Sequence, residues 1–297
     1  MSMRPLSGCG TALVTPFTRE GRVDERALRA LVEWQVGEGV HFLVPCGSTG
    51  EAATLTAEEH ARVVAITAEQ VAGRVPVVAG AGSNDTQKAI ALSHAMRDAG
   101  ATHLLHVSPM YNKPQQRGIV AHFRAIADAV ELPIVVYNVP GRTASNIEAR
   151  TALELAAIPG VVAIKEASGN LGQIGELLRE RPASFAVLSG DDALTLPVMA
   201  LGGEGVISVV SNATPRRMVA LVEACAAGDF GAARGLHRQL LPWMTAAFVE
   251  ANPAPVKAAL AMMGRIENRL RLPLVPLAEQ LHATVHAALV TAGAMAS

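Results

Sequence analysis

Eight short apolar runs recur between residues 10 and 210, and they constrain the fold more than any other feature of the chain. They read GTALVTP, HFLVPCG, VPVVAGAG, THLLHVSP, PIVVYNVP, VVAIKEAS, SFAVLSGDD and GVISVV. Their centres are roughly 20 to 35 residues apart, which is the length of a strand plus its crossover helix. Continuous apolar runs are typical of parallel strands covered on both faces. The pattern predicts an α/β protein with a (β/α)8 TIM barrel, and an open doubly wound sheet is the alternative.

The segments between the runs carry helix signals. Asp24 is placed to cap a helix, and Thr56 with Glu59 has the spacing of a capping box. We expect Gly100 to end the helix that starts near Asp85, because glycine adopts the left-handed conformation of a helix end without strain. The first helix should bury one apolar face, formed by Leu28, Leu31, Val32 and Val36.

The strand signals stop after residue 228. The remaining chain contains the segments FGAARGLHRQLLPWMTAAFV, PAPVKAALAMMG and PLAEQLHATVHAALVTAG, which read as helices separated by prolines. We therefore predict the barrel over residues 1–228 and a C-terminal helical region, an appendage to it, over residues 229–297.

The composition of the chain limits the kinds of binding partner that we expect. The chain has 297 residues, 50% of them hydrophobic, and a formal net charge of -1. Such a charge gives no electrostatic reason to expect nucleic acid or an acidic membrane, so we expect small-molecule substrates. The N-terminus lacks the apolar core of a signal peptide, and no stretch approaches the roughly 20 apolar residues of a membrane span, which predicts a cytoplasmic location. The three cysteines form no CxxC pair, so neither a disulfide framework nor a zinc knuckle is expected.

In a barrel of this kind the active site lies at the carboxyl ends of the strands. Both tyrosines of the chain fall there, together with other chemically useful residues. In chain order the set is Ser48, Thr49, Tyr111, Tyr137, Arg142, Lys165 and Ile207.

Lys165 is the most informative of these residues. Only four of the 25 lysines and arginines are lysine, and this one ends a run that is typical of a buried strand. Arginine keeps its proton, whereas a desolvated lysine can be neutral near pH 7 and attack a carbonyl. We interpret Lys165 as an imine-forming nucleophile. The alternative is a structural ion pair with Glu166 or another carboxylate.

Five motifs together point to a known family. CGSTGE, YNVPGRT, VVAIKEASGN, LSGDD and GVISV, in this order and spacing, resemble the dihydrodipicolinate synthase and N-acetylneuraminate lyase family of pyruvate-dependent class I aldolases. The resemblance extends over nearly the whole chain, including FVEANPAPVK near its end, and YNVPGRT is closer to the synthases. It implies a lyase of lysine and diaminopimelate biosynthesis that condenses pyruvate with aspartate semialdehyde to 4-hydroxy-tetrahydrodipicolinate.

The resemblance also implies a proton relay. Lys165 would form a Schiff base with pyruvate, and Tyr137 would donate and accept protons. Ser48 and Tyr111 would complete the relay. In the family the second tyrosine enters from a neighbouring subunit, so we expect at least a homodimer and, by resemblance, a homotetramer.

Three further residues would bind the substrates. By resemblance, the hydroxyl and turn amides of Thr49 would hold the pyruvate carboxylate, with the Ile207 carbonyl opposite. Arg142 would grip the carboxylate of the second substrate as a planar fork. No metal or other cofactor is expected, because the lysine imine supplies the chemistry.

One departure keeps other functions open. Ser48 stands where the synthases most often have threonine, and GSTGE also occurs among sialic-acid and sugar-acid aldolases. The alternatives are a related aldolase or dehydratase acting on a sugar acid or another 2-oxo acid, and a non-catalytic barrel that senses a 2-oxo acid. The sequence contains no convincing set of metal ligands for a metal-dependent class II aldolase.

Feedback by lysine is expected to be weak or absent. In regulated relatives a cluster binds lysine, and here a cation, Lys88, stands where those relatives carry glutamate. Its charge would repel the lysine ligand. The corresponding cluster reads Ala52, Ala57, His60, Asn84, Lys88 and Met110.

Overall fold

The eight predicted strands form one parallel sheet in a computed structural model, which describes residues 6–296. The strands are β1 (Gly8–Ala12), β2 (Phe42–Val44), β3 (Val78–Gly80), β4 (His103–Val107), β5 (Ile134–Asn138), β6 (Val161–Glu166), β7 (Ala186–Ser189) and β8 (Gly205–Ser208). Their order in the sheet is β2-β1-β8-β7-β6-β5-β4-β3. Strand β1 begins at Gly8, ahead of the apolar run that starts at Gly10.

The two ends of the sheet meet between β2 and β3. Leu43 and Val77 form a parallel bridge there, and the Gly80 N–H donates to the Pro45 carbonyl over 3.0 Å. Only glycine fits at position 80, because a Cβ there would lie 2.0 Å from the Cys46 carbonyl oxygen. This seam closes the sheet, so the TIM barrel is confirmed and the open doubly wound sheet is wrong.

Helices follow the strands and cover the barrel. They are α1 (Glu25–Gly37), α2 (Ala57–Val71), α3 (Thr86–Asp98), α4 (Gln116–Ala129), the one-turn α5 (Pro140–Thr143), α6 (Ala149–Ala156), α7 (Leu171–Glu180), α8 (Thr195–Ala200) and α9 (Pro215–Ala226). The predicted caps are confirmed. Asp24 accepts from the Ala27 N–H over 2.9 Å, Thr56 and Glu59 form the capping box, and Gly100 has a φ of 93°.

The buried face of α1 differs from the prediction at one position. Val36 is only partly buried, whereas Gln35 is 0% exposed. The Thr11 hydroxyl donates to Gln35 Oε1 over 2.7 Å. Gln35 Nε2 donates to the carbonyls of Ser211 at 3.1 Å and Asn212 at 3.0 Å. Because these hydrogen bonds satisfy the amide, it is buried at little cost, which apolar periodicity cannot detect.

Strands β5 and β6 present alternate residues to the barrel interior and to the helical layer. In their register Tyr137 pairs with Lys165, and Asn138 pairs with Glu166. The first pair faces the interior. The second pair lies on the outer face, which packs against the surrounding helices. The apolar residues of this layer are Ile134, Val136, Ile164 and Val187 of the strands and Ile119, Phe123 and Leu177 of the helices.

Three more helices follow α9: α10 (Phe230–Ala246), α11 (Ala254–Met262) and α12 (His282–Thr291). We call them the C-terminal helices. Trp243 of α10 is 0% exposed, and its indole N–H donates to the Val210 carbonyl, just after β8, over 3.2 Å. Helix α10 therefore packs at the carboxyl end of the barrel. The predicted division at residue 228 falls between α9 and α10 and stays a prediction.

No helix within residues 6–296 has both the length and the apolar character to cross a bilayer.

Candidate active site

Lys165 and Tyr137 lie side by side inside the barrel mouth. They are cross-strand partners at the carboxyl ends of β6 and β5, and they are 5% and 7% exposed. The Lys165 Nζ is 4.3 Å from the centroid of the Tyr137 ring. The strand register thus brings together the residues that the sequence predicted as nucleophile and proton donor.

Burial makes Lys165 a better nucleophile. It lowers the pKa of the ammonium group from 10.5 to about 8, because the charged form is poorly solvated inside the barrel. The Asp192 carboxylate opposes this pKa shift and the Arg142 charge adds to it. At pH 7 about one Lys165 in ten is then a neutral amine, against about one in three thousand for an unperturbed lysine.

Glu166 does not neutralise Lys165. Strand alternation turns its side chain to the outer face of β6. There the carboxylate accepts from Asn138 Nδ2 at 3.0 Å, from the Ser168 N–H at 2.6 Å and from Gln173 Nε2 at 3.3 Å. The alternative interpretation of Lys165, as an ion pair with Glu166, is therefore wrong.

A buried acid that the sequence did not single out lies at the same end of the barrel. Asp192 follows β7 and is 1% exposed, and its Oδ2 accepts from the N–H groups of Val209 at 3.0 Å and Val210 at 3.3 Å. Burial raises the pKa of Asp192 to about 6. Above that pH its negative charge favours the ammonium form of Lys165. The SGDD motif placed two acids after β7, but nothing in it indicated which one is buried.

Helix α5 holds Arg142 at the rim, where its side chain is exposed. The Arg142 N–H donates to the Val139 carbonyl over 2.9 Å and starts the turn. Burial raises the pKa of Tyr137 to about 12, and the Arg142 charge opposes this shift. Because α5 directly follows β5, Arg142 lies at the carboxyl end of the barrel, and its charge acts on both Tyr137 and Lys165. There it can bind the carboxylate of an entering substrate.

The turn after β2 presents two hydroxyl groups in different environments. Ser48 is exposed, whereas Thr49 is 3% exposed and its Oγ1 accepts from Asn252 Nδ2 over 2.8 Å. Asn252 lies between α10 and α11. Sequence reasoning used the segment around it only as part of a resemblance and assigned Asn252 no role.

A buried ion pair fixes the same turn. Lys257 of α11 lies 2.5 Å from Glu51, measured from Nζ to Oε1, and both side chains are 0% exposed. The Lys257 Nζ also donates to the Arg269 carbonyl over 2.7 Å, and the Arg271 N–H donates to Glu51 Oε2 over 3.1 Å. The C-terminal helices are thereby joined to the turn that carries Thr49. The sequence showed the two residues but not their contact.

Two predicted site residues, Tyr111 and Ile207, are less closely connected to Lys165 and Tyr137. Tyr111 is 89% exposed and lies in the loop after β4 with a φ of 71°, a left-handed conformation that is uncommon outside glycine. A tyrosine this exposed makes little contact with its own barrel, so its relay role depends on a second chain and stays a prediction. Ile207 is buried in β8, and its carbonyl contact with substrate also stays a prediction.

Known proteins resemble this chain in sequence and in fold. The model of the Dihydrodipicolinate synthetase family matches residues 5–292. The 4-hydroxy-tetrahydrodipicolinate synthase of Koribacter versatilis is 52% identical over 291 residues, which cover 98% of this chain and 97% of the relative.

Two solved structures extend the comparison. The chloride-inhibited dihydrodipicolinate synthase of Acinetobacter baumannii, complexed with pyruvate, has a TM-score of 0.96 and is 42% identical in sequence. The match covers 97% of this chain and 99% of the synthase chain. The dihydrodipicolinate synthase of Cyanidioschyzon merolae with lysine bound has a TM-score of 0.95 and is 40% identical in sequence. The match covers 99% of this chain and 100% of the synthase chain. Since the family match extends over almost the whole sequence, the chain belongs to the dihydrodipicolinate synthetase family.

Proposed function

We propose that the chain condenses pyruvate with L-aspartate 4-semialdehyde through an imine on Lys165 and releases 4-hydroxy-tetrahydrodipicolinate. The observation that carries the proposal is a buried lysine, its pKa lowered to about 8, whose Nζ is 4.3 Å from the Tyr137 ring centroid. Two similarities support it: a relative 52% identical to this chain is a 4-hydroxy-tetrahydrodipicolinate synthase, and a structural neighbour is complexed with pyruvate.

Lys165 begins the reaction. The neutral Nζ attacks the ketone carbon of pyruvate, and loss of water gives an imine. Removal of a methyl proton gives an enamine, whose carbon attacks the aldehyde carbon of the second substrate while the aldehyde oxygen takes up a proton. The amine of that substrate then attacks the imine carbon, which closes the ring and frees the lysine. One water is released per condensation.

Tyr137 exchanges protons with these intermediates. Its pKa, raised to about 12 by burial, keeps the phenol protonated at neutral pH, so it can donate to the oxygen that leaves as water and to the aldehyde oxygen. The phenol must then regain its proton, and we assign that step to Ser48 and to Tyr111 of a neighbouring subunit. The working protein is therefore at least a homodimer, and we propose a homotetramer.

The carboxylates of the substrates orient them. The Thr49 hydroxyl donates to the pyruvate carboxylate, with the Ile207 carbonyl opposite, and Arg142 grips the second substrate bidentately. The lysine imine withdraws electrons from the pyruvate methyl group, so the proposed reaction needs no metal or other cofactor. We place the reaction in the cytoplasm.

Borohydride trapping with pyruvate, followed by intact-mass spectrometry, tests the imine. The unmodified protein should gain one reduced pyruvate per chain. Lys165→Ala should gain none, and Lys88→Ala, which removes an exposed lysine, should behave like the unmodified protein. A coupled assay with aspartate semialdehyde then tests the second substrate.

The two measurements separate the candidate functions. An adduct on Lys165 together with turnover supports the full proposal. An adduct without turnover would favour an aldolase or dehydratase for a sugar acid or another 2-oxo acid, the option that Ser48 leaves open. Pyruvate binding without an adduct would favour a sensor and contradict the proposal.

A further inference from the structure

The loop that carries Arg142 is closed by one buried side chain. Asn138, at the end of β5, is 0% exposed, and its Oδ1 accepts from the Ile147 N–H over 2.9 Å. Its Nδ2 donates to Asn146 Oδ1 at 2.9 Å. Asn138 therefore ties the start of the loop to its end, and Arg142 lies between the two tied points.

A buried carboxylate holds Asn138 in turn. Glu166 is 2% exposed and accepts from Asn138 Nδ2 through Oε2 at 3.0 Å and Oε1 at 3.3 Å. Oε1 also accepts from the Ser168 N–H at 2.6 Å. Every one of these donors is neutral, so the negative charge of Glu166 is stabilised by hydrogen bonds alone.

The far end of the loop is held from α7. Gln173 Nε2 donates to Glu166 Oε2 at 3.3 Å and to the Ile147 carbonyl at 3.1 Å, and Asn146 Nδ2 donates to Gln173 Oε1 at 2.8 Å. We call Asn138, Asn146, Glu166 and Gln173 the amide cluster. It joins β5, β6 and α7 behind the Arg142 loop, on the face of the sheet opposite Lys165.

We propose that Glu166 is a positioning residue that acts through the amide cluster to hold Arg142 where the second substrate's carboxylate binds. The inference rests on the proposed function, in which Arg142 grips that carboxylate. Lys165 and Glu166 then have separate roles at adjacent positions of β6. Lys165, which faces the barrel interior, binds pyruvate. Glu166, on the outer face, sets the affinity for the aldehyde substrate.

Replacing Glu166 with glutamine tests this with a nearly isosteric change. Each carboxylate oxygen accepts from two donors, so either orientation of a glutamine amide would turn its NH2 group towards donors. The cluster would loosen without loss of volume. Glu166→Gln should raise the KM for aspartate semialdehyde by about 10- to 100-fold, because small displacements of a gripping group have effects of that size. The pyruvate KM and the trapping rate should change less than about twofold.

Two variants provide matched comparisons. Gln173→Ala removes one neighbour of Glu166 and should raise the same KM by a smaller factor. It also keeps the proposal testable if Glu166→Gln fails to fold. Glu154→Gln makes the same chemical change at the exposed Arg150–Glu154 pair on α6 and should leave both constants unchanged.

A double variant tests whether Glu166 acts through Arg142. In an Arg142→Ala background, Glu166→Gln should raise the aldehyde KM little further, because the group that it positions is gone. Equal losses in imine trapping and in aldehyde affinity, or a full additional loss in the double variant, would overturn the inference.

The controls separate this inference from the proposed function. Absent turnover by the unmodified protein, or an Arg142→Ala variant with normal aldehyde KM, would count against the proposed function and remove the inference with it. A raised KM in Arg142→Ala but not in Glu166→Gln or Gln173→Ala would overturn the inference alone.

Discussion

Asn252 donates a hydrogen bond to the hydroxyl oxygen of Thr49 across 203 residues of sequence, with 2.8 Å between Nδ2 and Oγ1. Because the oxygen accepts this bond, the hydroxyl proton of Thr49 is available to another acceptor. In the proposed function that acceptor is the carboxylate of pyruvate. In that function, the segment between α10 and α11 orients a substrate-binding group that belongs to the barrel.

Asn252→Ala is expected to raise the KM for pyruvate by about 5- to 150-fold, the equivalent of about 1 to 3 kcal/mol for a buried hydrogen bond. Asn252→Asp should be worse, because a carboxylate would accept the Thr49 proton and repel the substrate. Steady-state kinetics of both variants check this order. An aspartate variant with better pyruvate affinity than the alanine variant would contradict the account, and circular dichroism controls for folding.

The rate of imine formation should rise with pH, reach half of its maximum near pH 8 and then level off, because only the neutral amine of Lys165 attacks and its pKa is lowered to about 8. The measurement is the initial rate of borohydride-trapped pyruvate adduct between pH 6 and pH 10. A rate that still rises steeply up to pH 10, as the ordinary pKa of 10.5 requires, would show that Lys165 is solvated and would contradict the burial argument.

Opposite charges near Lys165 should move the midpoint of the pH profile of imine formation in opposite directions. The Arg142 cation lowers the pKa of Lys165, so Arg142→Ala should shift the midpoint to higher pH. The Asp192 carboxylate raises the same pKa, so Asp192→Asn should shift it to lower pH. The same trapping series measures both. Shifts of the same sign in the two variants would be inconsistent with this electrostatic account.

Removing one partner of the Glu51–Lys257 pair should destabilise the fold strongly. Both side chains are 0% exposed, and an unpaired buried charge costs about 3 to 5 kcal/mol. Glu51→Gln and Lys257→Met should each lower the free energy of unfolding in urea by this amount, and the double variant should recover part of it. The exposed Arg19–Glu267 pair is the control, and Arg19→Met should have little effect. Single buried variants as stable as this control would refute the prediction.

Lysine should inhibit the chain weakly, and a charge reversal at one position should strengthen the inhibition. Lys88 is exposed in α3, where regulated relatives are expected to carry glutamate. Lys88→Glu should lower the lysine concentration for half-inhibition, whereas Gln87→Glu, an adjacent exposed residue, should change it less. Half-inhibition of the unmodified chain at sub-millimolar lysine would contradict the prediction.

Local signals sufficed for most of the fold. The eight apolar runs predicted eight strands, and Asp24, Thr56 and Glu59 predicted helix starts that are confirmed. The helix caps depend on contacts three residues apart, and a strand that is buried on both faces has a continuous apolar run, so spacing and composition indicate both. Lys165 could be singled out in the same way, because a lysine at the end of an apolar run conflicts with burial unless chemistry requires it.

The apolar runs predicted the eight strands and placed Lys165 at the end of β6, but only the seam between β2 and β3 showed that the sheet closes into a barrel. Tertiary structure decided which polar groups meet: Glu166 with Asn138 and not with Lys165, Asn252 with Thr49, and Lys257 with Glu51. These contacts form only when the strands are in register and the C-terminal helices pack on the closed barrel. Periodicity shows that a residue is buried or exposed, but the partner of a buried polar group such as Glu51 can lie 220 residues away along the chain.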